Sequence, residues 1–320
     1  MSDWRPSASL DALAARAATL QHLRAFFAAR GVMEVETPLI SLGTVTDPAI
    51  DALILDGATL DDPPRFLQTS PEYAMKRLIA AGAGDIFQVA RAFRQGEYGR
   101  RHNPEFTLLE WYRLGWDHAT LIREVAELVG ELLGRSGWQI WPYGSLFQHV
   151  LDVDPLSDDV DDAHLWALAE SHLEHVPIGL DRDGLLDLLM THCVEPTLSD
   201  AGVVFVTDFP VSQSALARLI TVQGRRVAAR FECYVDGVEL ANGYWEQSDA
   251  SALRTRFASD NAVRRRRGLD ERLPDQRLLA AQDSGLPECA GVALGIDRLL
   301  ALRLGVDNVS EVMSFDWLRA

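Results

Sequence analysis

Apolar side chains recur at helical spacing across residues 9–30, SLDALAARAATLQHLRAFFAAR, where Leu10, Leu13, Ala17, Leu20 and Phe27 form the expected buried stripe. Ser9 is a suitable N-cap and Gly31 a suitable stop. The run VMEVETPLI reads as a strand ending near Pro38, and SLGTVTDPAID supplies turn chemistry after it. In FLQTSPEYAMKRLIAAGAG, residues 66–84, a strand gives way to a short helix. Ser70 is expected to cap it, Pro71 to take its first position, and Gly82 or Gly84 to end it. Two β-rich runs, DIFQVARAFR and EFTLLEWYR, then flank a loop of glycines and arginines and predict an antiparallel hairpin.

From about 117 to 200 the pattern turns helical and acidic, with HATLIREVAELVGELLGR, AHLWALAESHLEH and DRDGLLDLLMTHCVEP as its pieces. The Asp152–Asp162 run has neither the central glycine nor the terminal glutamate of a calcium loop and reads as a solvated linker. Next come the strand VVFVTDFP and a second hairpin, RVAARFECYVDGVELANGYWE, turning at Asp236-Gly237. A helix follows through ALRTRFASDNAVRRRRG. Its terminal Arg264–Arg267 either complement the helix dipole or bind a nucleic acid or an acidic partner. GVALGIDRLLALRLG closes the series as a strand running into an amphipathic helix. Hairpins mixed with helices predict an α+β fold, an antiparallel sheet flanked by helices, in one domain over residues 1–320 with a mostly helical acidic insertion at about 117–200.

Composition narrows the function. The 320 residues are 48% hydrophobic and 24% charged, and 30 basic against 47 acidic side chains leave a net charge of −17. Such a balance disfavours a general grip on nucleic acid. Cys193, Cys233 and Cys289 lie far apart without zinc spacing, which fits a reducing compartment. The opening MSDWRPSASLD has acid and proline where a signal peptide needs basic then apolar residues, and no stretch is apolar enough to span a bilayer. A cytoplasmic location without membrane attachment is therefore expected.

Three polar clusters stand where a sheet would ordinarily place apolar side chains: Arg94 with Glu110 and Tyr112, Glu239 with Glu246, and Arg298 after Gly295. Arginines bind phosphate in forked, charge-assisted fashion, and magnesium takes carboxylate oxygens together with substrate phosphates, so the set suggests a nucleotide with Mg2+. Each cluster alone also reads as a cross-strand ion pair. Glu110 and Tyr112, two apart on one strand, share a face. Glu239 and Glu246 are an odd step apart and converge only if Asn242-Gly243 forms a bulge or turn. Glu72, in the first turn of its helix, complements the helix dipole or faces a ligand amine.

Taken together, FR...HNPEFTLLEWY, ELANGYWE and GVALGIDR resemble the motifs of class II lysyl-tRNA synthetases, and the resemblance covers nearly the whole chain. The segment ending GVMEVETPLI looks like the first class II motif, which in that family builds a dimer interface, and SPEYAMKRL resembles its amino-acid-binding segment. Because the first motif's helix begins at about residue 9, no room is expected for the anticodon-binding barrel of those synthetases, and no stable tRNA binding. A core of this length is similar to the lysine ligases of elongation factor P, paralogues of the synthetases. In that family lysine, chiefly (R)-β-lysine, is activated with ATP and attached to a lysine side chain of the factor.

The resemblance implies roles residue by residue. Arg94 matches the arginine on the α-phosphate and Arg298 its partner on the γ-phosphate. Gln95, Gly96, Asn103, Glu239, Leu240 and Gly295 fall on the ATP site. Glu239 carries magnesium, and Glu246 lies near both metal and substrate. Ser70, Pro71 and Glu72 match the substrate segment, Glu110 with Tyr112 the pair on the distal ammonium, and Ala293 the floor of the amino-acid pocket, where its methyl is expected to favour β- over α-lysine. After Arg94 many relatives carry Asn-Glu, whereas this chain has Gln95-Gly96 with Glu97 displaced by one position. Either the Gly96 backbone serves the adenine or Glu97 takes the vacated role. A homodimer is implied by the family. Rival readings are a same-fold enzyme with another acceptor, including truncated tRNA-lysylating and amidating ligases, and an inactive paralogue serving as a regulatory subunit.

Overall fold

The computed structural model describes residues 4–57, 59 and 62–320, so the first three residues of the N-terminal stretch lie outside it. The chain forms two compact units, Met1–Asp117 with Glu246–Ala320, and His118–Trp245. Elements are numbered along the whole chain.

The first unit opens with helix α1 (Leu10–Ala29). The Ser9 hydroxyl accepts from Ala12 N–H at 3.1 Å, and Gly31 takes a left-handed φ of 68° past its end. Its buried face keeps only Phe27 of the expected stripe: Ala12, Thr19, Leu23, Phe26 and Phe27 are buried, Leu13 and Leu20 are half-buried, and Leu10 is 77% exposed. Alanine-rich sequence blurs the hydrophobic boundary, and the aromatic pair decides it, Phe27 stacking on Phe87 with centroids 4.5 Å apart.

The strand expected after α1 shrinks to β1 (Met33–Glu34), which pairs in parallel with β5 (Ile86–Phe93). β5 pairs antiparallel with β6 (Glu105–Leu114), and β6 with β12 (Cys289–Gly295). Both hairpin strands lie where the sequence pattern predicts them. β2 (Ile40–Ser41), β3 (Ile54–Leu55) and β4 (Arg65–Leu67) make a separate small sheet. Helices α2 (Glu72–Ala80), α7 (Ala250–Arg266), α8 (Gln276–Asp283) and α9 (Ile296–Leu304) complete this unit, and Gly305 ends α9 at φ 64°.

Arg264 departs from both sequence readings. Its side chain is 1% exposed, with Nε donating to Asp270 O at 2.6 Å, Nη1 to Asp47 O at 3.0 Å and Nη2 to Asp51 Oδ1 at 2.7 Å. It ties α7 to the loop before β3, and neither caps a dipole nor faces a polyanion. Arg265 pairs with Glu271 at 2.8 Å.

In the second unit, α3 (His118–Leu133), α5 (Asp162–His172) and α6 (Arg182–Leu189) are the expected helices. The pattern missed β7 (Gln139–Pro142) and α4 (Tyr143–Leu151), which follow directly on each other without a loop to mark them. α6 runs into a π-turn, Met190–Val194, whose end residues are buried. The acidic run is more than a solvated linker: Asp161 caps α5 by accepting from His164 N–H at 2.8 Å, and Asp154 pairs with Arg225.

β8 (Val203–Phe209) pairs in parallel with β7 and antiparallel with β10 (Arg225–Val235). β10 also pairs antiparallel with β9 (Leu219–Val222) and β11 (Val238–Trp245). Asp236 and Gly237 turn the hairpin at φ 50° and 75°, the left-handed pair that a two-residue turn requires. A bulge occurs in β11, but at Leu240, between the pairs Tyr234↔Glu239 and Cys233↔Ala241. Asn242 and Gly243 stay in the ladder opposite Glu232 and Phe231, so the break their residue types allow is absent. Each unit combines a mainly antiparallel sheet with helices, in agreement with the α+β expectation. Among the described residues no helix is long and apolar enough to cross a membrane.

Candidate active site

Most of the predicted site lies in the first unit. Glu110 and Tyr112 project from one face of β6 and are buried at 2% and 3% exposure. α2 begins at Glu72 with Pro71 in the cap position, one residue later than expected. The Ser70 hydroxyl joins the two elements, accepting from Glu72 N–H at 3.0 Å and donating to Glu110 Oε1 at 2.5 Å.

On β12, Ala293 stands opposite Glu110 and Gly291 opposite Tyr112, so their positions share the face that carries the acid and the phenol. A Cβ on Gly291 would lie 2.3 Å from the Tyr112 ring and 2.6 Å from Glu246 Oε1. Glycine there is a steric requirement, and it brings Glu246, 2% exposed, beside Tyr112.

One cation completes the cluster. Lys76, one turn along α2 from Glu72, is 1% exposed, with Nζ 2.5 Å from both Glu72 Oε1 and Glu246 Oε2. Sequence reading missed it, although the i,i+4 spacing from Glu72 was a signal available. Gly291 gave no local signal, since its need for space comes from β6.

Burial governs the ionisation here. Glu110 is pushed up to about 8, first by desolvation and then by the neighbouring Glu72, while the Ser70 hydroxyl, Arg94 and Lys76 pull the other way. Glu246 is pushed up to about 7 by burial against the attraction of Lys76. For Lys76, burial lowers the pKa, but Glu246 and Glu72 outweigh it and hold the ammonium charged. The Tyr112 phenol is raised well above its ordinary range by burial.

Arg94 follows β5, half-buried. Its guanidinium sits 5.1 Å from the Phe106 ring centroid, and Nη1 is 3.6 Å from Glu97 Oε1. The displaced glutamate therefore turns toward Arg94. Gln95 N–H donates to Asp51 O at 2.8 Å, and Gly96 turns the loop at φ 81°. Arg298 Nε donates to Arg101 O at 3.2 Å, and its Nη2 lies 2.6 Å from His102 Nε2. A guanidinium only donates, so this histidine nitrogen is the acceptor.

Asn103 is buried, its Nδ2 donating to Glu105 O at 2.7 Å and its Oδ1 accepting from Trp317 N–H at 2.9 Å. Both ends of that amide are engaged in holding chain segments together. Gly295 contrasts with Gly291: a Cβ there would meet nothing nearer than 3.8 Å, so the protein's own packing leaves the space open.

Glu239 and Leu240 belong to the second unit, on β11. Glu239 is half-buried opposite Tyr234, and Leu240 is buried at the bulge. Buried Glu232 is raised by desolvation, with Arg230 lowering it and Glu239 raising it again, so the two acids share one field. Among the described residues no group of three or more His, Cys, Asp or Glu side chains is arranged to hold a metal ion.

A family model for the class II tRNA synthetases (D, K and N) matches residues 1–318. A protein of Proteus mirabilis named elongation factor P--(R)-beta-lysine ligase is 45% identical over 324 residues, covering 100% of this chain and 99% of that relative. Proteins of the same name from Pectobacterium atrosepticum and Salmonella gallinarum are also 45% identical, over 331 and 321 residues, with 99% and 98% of their lengths covered.

Proposed function

Because this chain belongs to the class II tRNA synthetases (D, K and N), we propose that it is an ATP-dependent ligase that activates lysine, chiefly (R)-β-lysine, as an aminoacyl-adenylate and transfers it to a lysine side chain of elongation factor P. The observation that carries the amino-acid part is the cluster of buried Glu110, Glu246 and Tyr112 with half-buried Glu72, a set of acceptors suited to ammonium groups. The acceptor is inferred from the names of the relatives.

In this reading the substrate carboxylate attacks the α-phosphate in line, pyrophosphate leaves, and an uncharged amine of the acceptor protein displaces AMP to form an amide. The amine loses its proton in that step. Arg94 lies close enough to Glu110 to act on its charge, and the same guanidinium stabilises charge building on phosphorus. To do so it releases Glu97. Arg298 takes the γ-phosphate, supported by His102 and the Arg101 carbonyl. Gly295 leaves room for adenine against the backbone.

Magnesium characteristically takes one or two carboxylates and completes its shell with waters and phosphates, so the oxygen donors of the Glu239 region fit it and a full protein cage is unnecessary. Glu239 would hold the ion, which supplies neutralising charge for the phosphates. Glu246, engaged by Lys76, is assigned to the substrate. A homodimer and a cytoplasmic location complete the proposal.

Lysine-dependent ATP–pyrophosphate exchange tests activation, and mass spectrometry of elongation factor P incubated with the enzyme, ATP and each lysine isomer tests transfer. Arg94→Ala is expected to slow exchange by about a hundredfold, the scale of one lost transition-state donor. Exchange without modification of the factor would point to another acceptor; no exchange would favour a regulatory paralogue.

A further inference from the structure

Lys76 is a buried lysine that the reaction as described does not use. Burying an ammonium is costly, and a hydrophobic residue of similar volume commonly serves stability as well or better than a buried ion pair. The two carboxylates that match its charge, Glu72 on its own helix and Glu246 at the start of the unit's second segment, are two of the acids assigned to the substrate. Met75 and Ile79, which flank it on α2, pack with Ile86, Tyr112, Leu286 and Cys289 in one buried apolar cluster. Among the described residues, the charged or titratable groups coupled to this cluster include Glu72 and Tyr73 on α2, Glu110 and Tyr112 on β6, Glu246, Cys289 on β12, and Arg94.

We infer that Lys76 is a positioning residue for the amino-acid substrate: its ammonium, 2.5 Å from both Glu72 and Glu246, holds the two carboxylates in place, so that three acids and one cation leave two net negative charges, once Glu110 gives up its proton, to match an amino acid with two ammonium groups. This rests on reading the cluster as the lysine pocket. The buried carboxylates Glu110 and Glu246, beside the half-buried Glu72, cannot both stay ionised near neutral pH without a cation, because each like charge raises the others' affinity for protons. With Lys76 present, Glu246 is favoured as an anion and the substrate has chiefly the Glu110 proton to expel. Without it, Glu246 holds a second.

The test is the pH dependence of lysine binding, followed calorimetrically without ATP from pH 6 to 10, alongside kcat/KM for lysine in pyrophosphate exchange. In Lys76→Met and Lys76→Gln the acid limb is expected to move up by at least one pH unit, with lysine bound about tenfold or more weakly at pH 7, the equivalent of one pKa unit. KM for ATP should stay within about threefold, and Lys76→Arg should keep the wild-type limb. Neutral variants that lose affinity equally at every pH, or not at all, would overturn the inference. If both neutral variants fail to fold, the ζ-nitrogen NMR signal of Lys76 in the wild type decides. An ammonium that stays protonated to pH 10 and shifts on lysine addition supports the role, and a neutral amine or an unresponsive signal overturns it. Wild-type protein that binds lysine without exchange refutes the ligase reading while leaving Lys76 decided by the binding limb; wild-type protein that binds no lysine refutes both.

Discussion

Glu110 combines 2% exposure with a pKa pushed up to about 8 by burial first and Glu72 second. The fold therefore resists its ionisation. The unfolded chain, with its carboxyl near the ordinary value of 4.5, binds fewer protons than the folded one between that pH and about 8, so this group costs stability increasingly across that window and by a constant amount above it. Glu110→Gln is expected to raise the Tm of ligand-free protein, with a gain that grows from about pH 4.5 to 8 and then levels, while lysine binding is lost. In the wild type, lysine affinity should climb toward pH 8 with proton release on binding, measurable by calorimetry in two buffers of different ionisation enthalpy. The spacing of Glu110 and Tyr112 made this pair readable, since strand parity alone puts them on one face. Asn103 was less readable: its type suits a ligand, but both ends of its amide are engaged, one by Glu105 two residues on and the other by Trp317, a partner distant in sequence that no local pattern reveals.

Helix α7 shows how an element's role is fixed by a partner segment. A run of four arginines before a glycine reads as a dipole complement, yet Arg264 is buried on two backbone carbonyls and Asp51. Asp51 in turn accepts from Gln95 N–H, the first residue after Arg94. Arg264→Leu is expected to destabilise the protein by about 3 kcal/mol, a range set by lost hydrogen bonds to a charged group, as read in chemical denaturation. It should leave affinity for polyanions unchanged. Hairpins were legible because turn chemistry and β-rich runs coincide, as at Asp236-Gly237. The short strands β1 and β7 were not, since two to four residues carry too little periodicity. The bulge in β11 falls at Leu240 rather than at Asn242-Gly243, the pair whose residue types allow one, because register with β10 decides it.

At the scale of the whole molecule, a net charge of −17 opposes nonspecific contact with nucleic acid. Bulk tRNA at physiological salt is expected not to inhibit modification of elongation factor P, and inhibition in that assay would restore a tRNA role. The family match over residues 1–318 agrees with motifs spread along nearly the full sequence, which is why fold and reaction class could be read before side-chain detail. Gly291 lies between the Tyr112 ring and Glu246, with less room than a methyl group needs, whereas Ala293, two residues on, already carries one. In a saturation library selected for lysine activation, Gly291 should therefore tolerate no replacement and Ala293 several. Along this strand, any evolutionary drift toward a different amino acid has a single gate through which to pass.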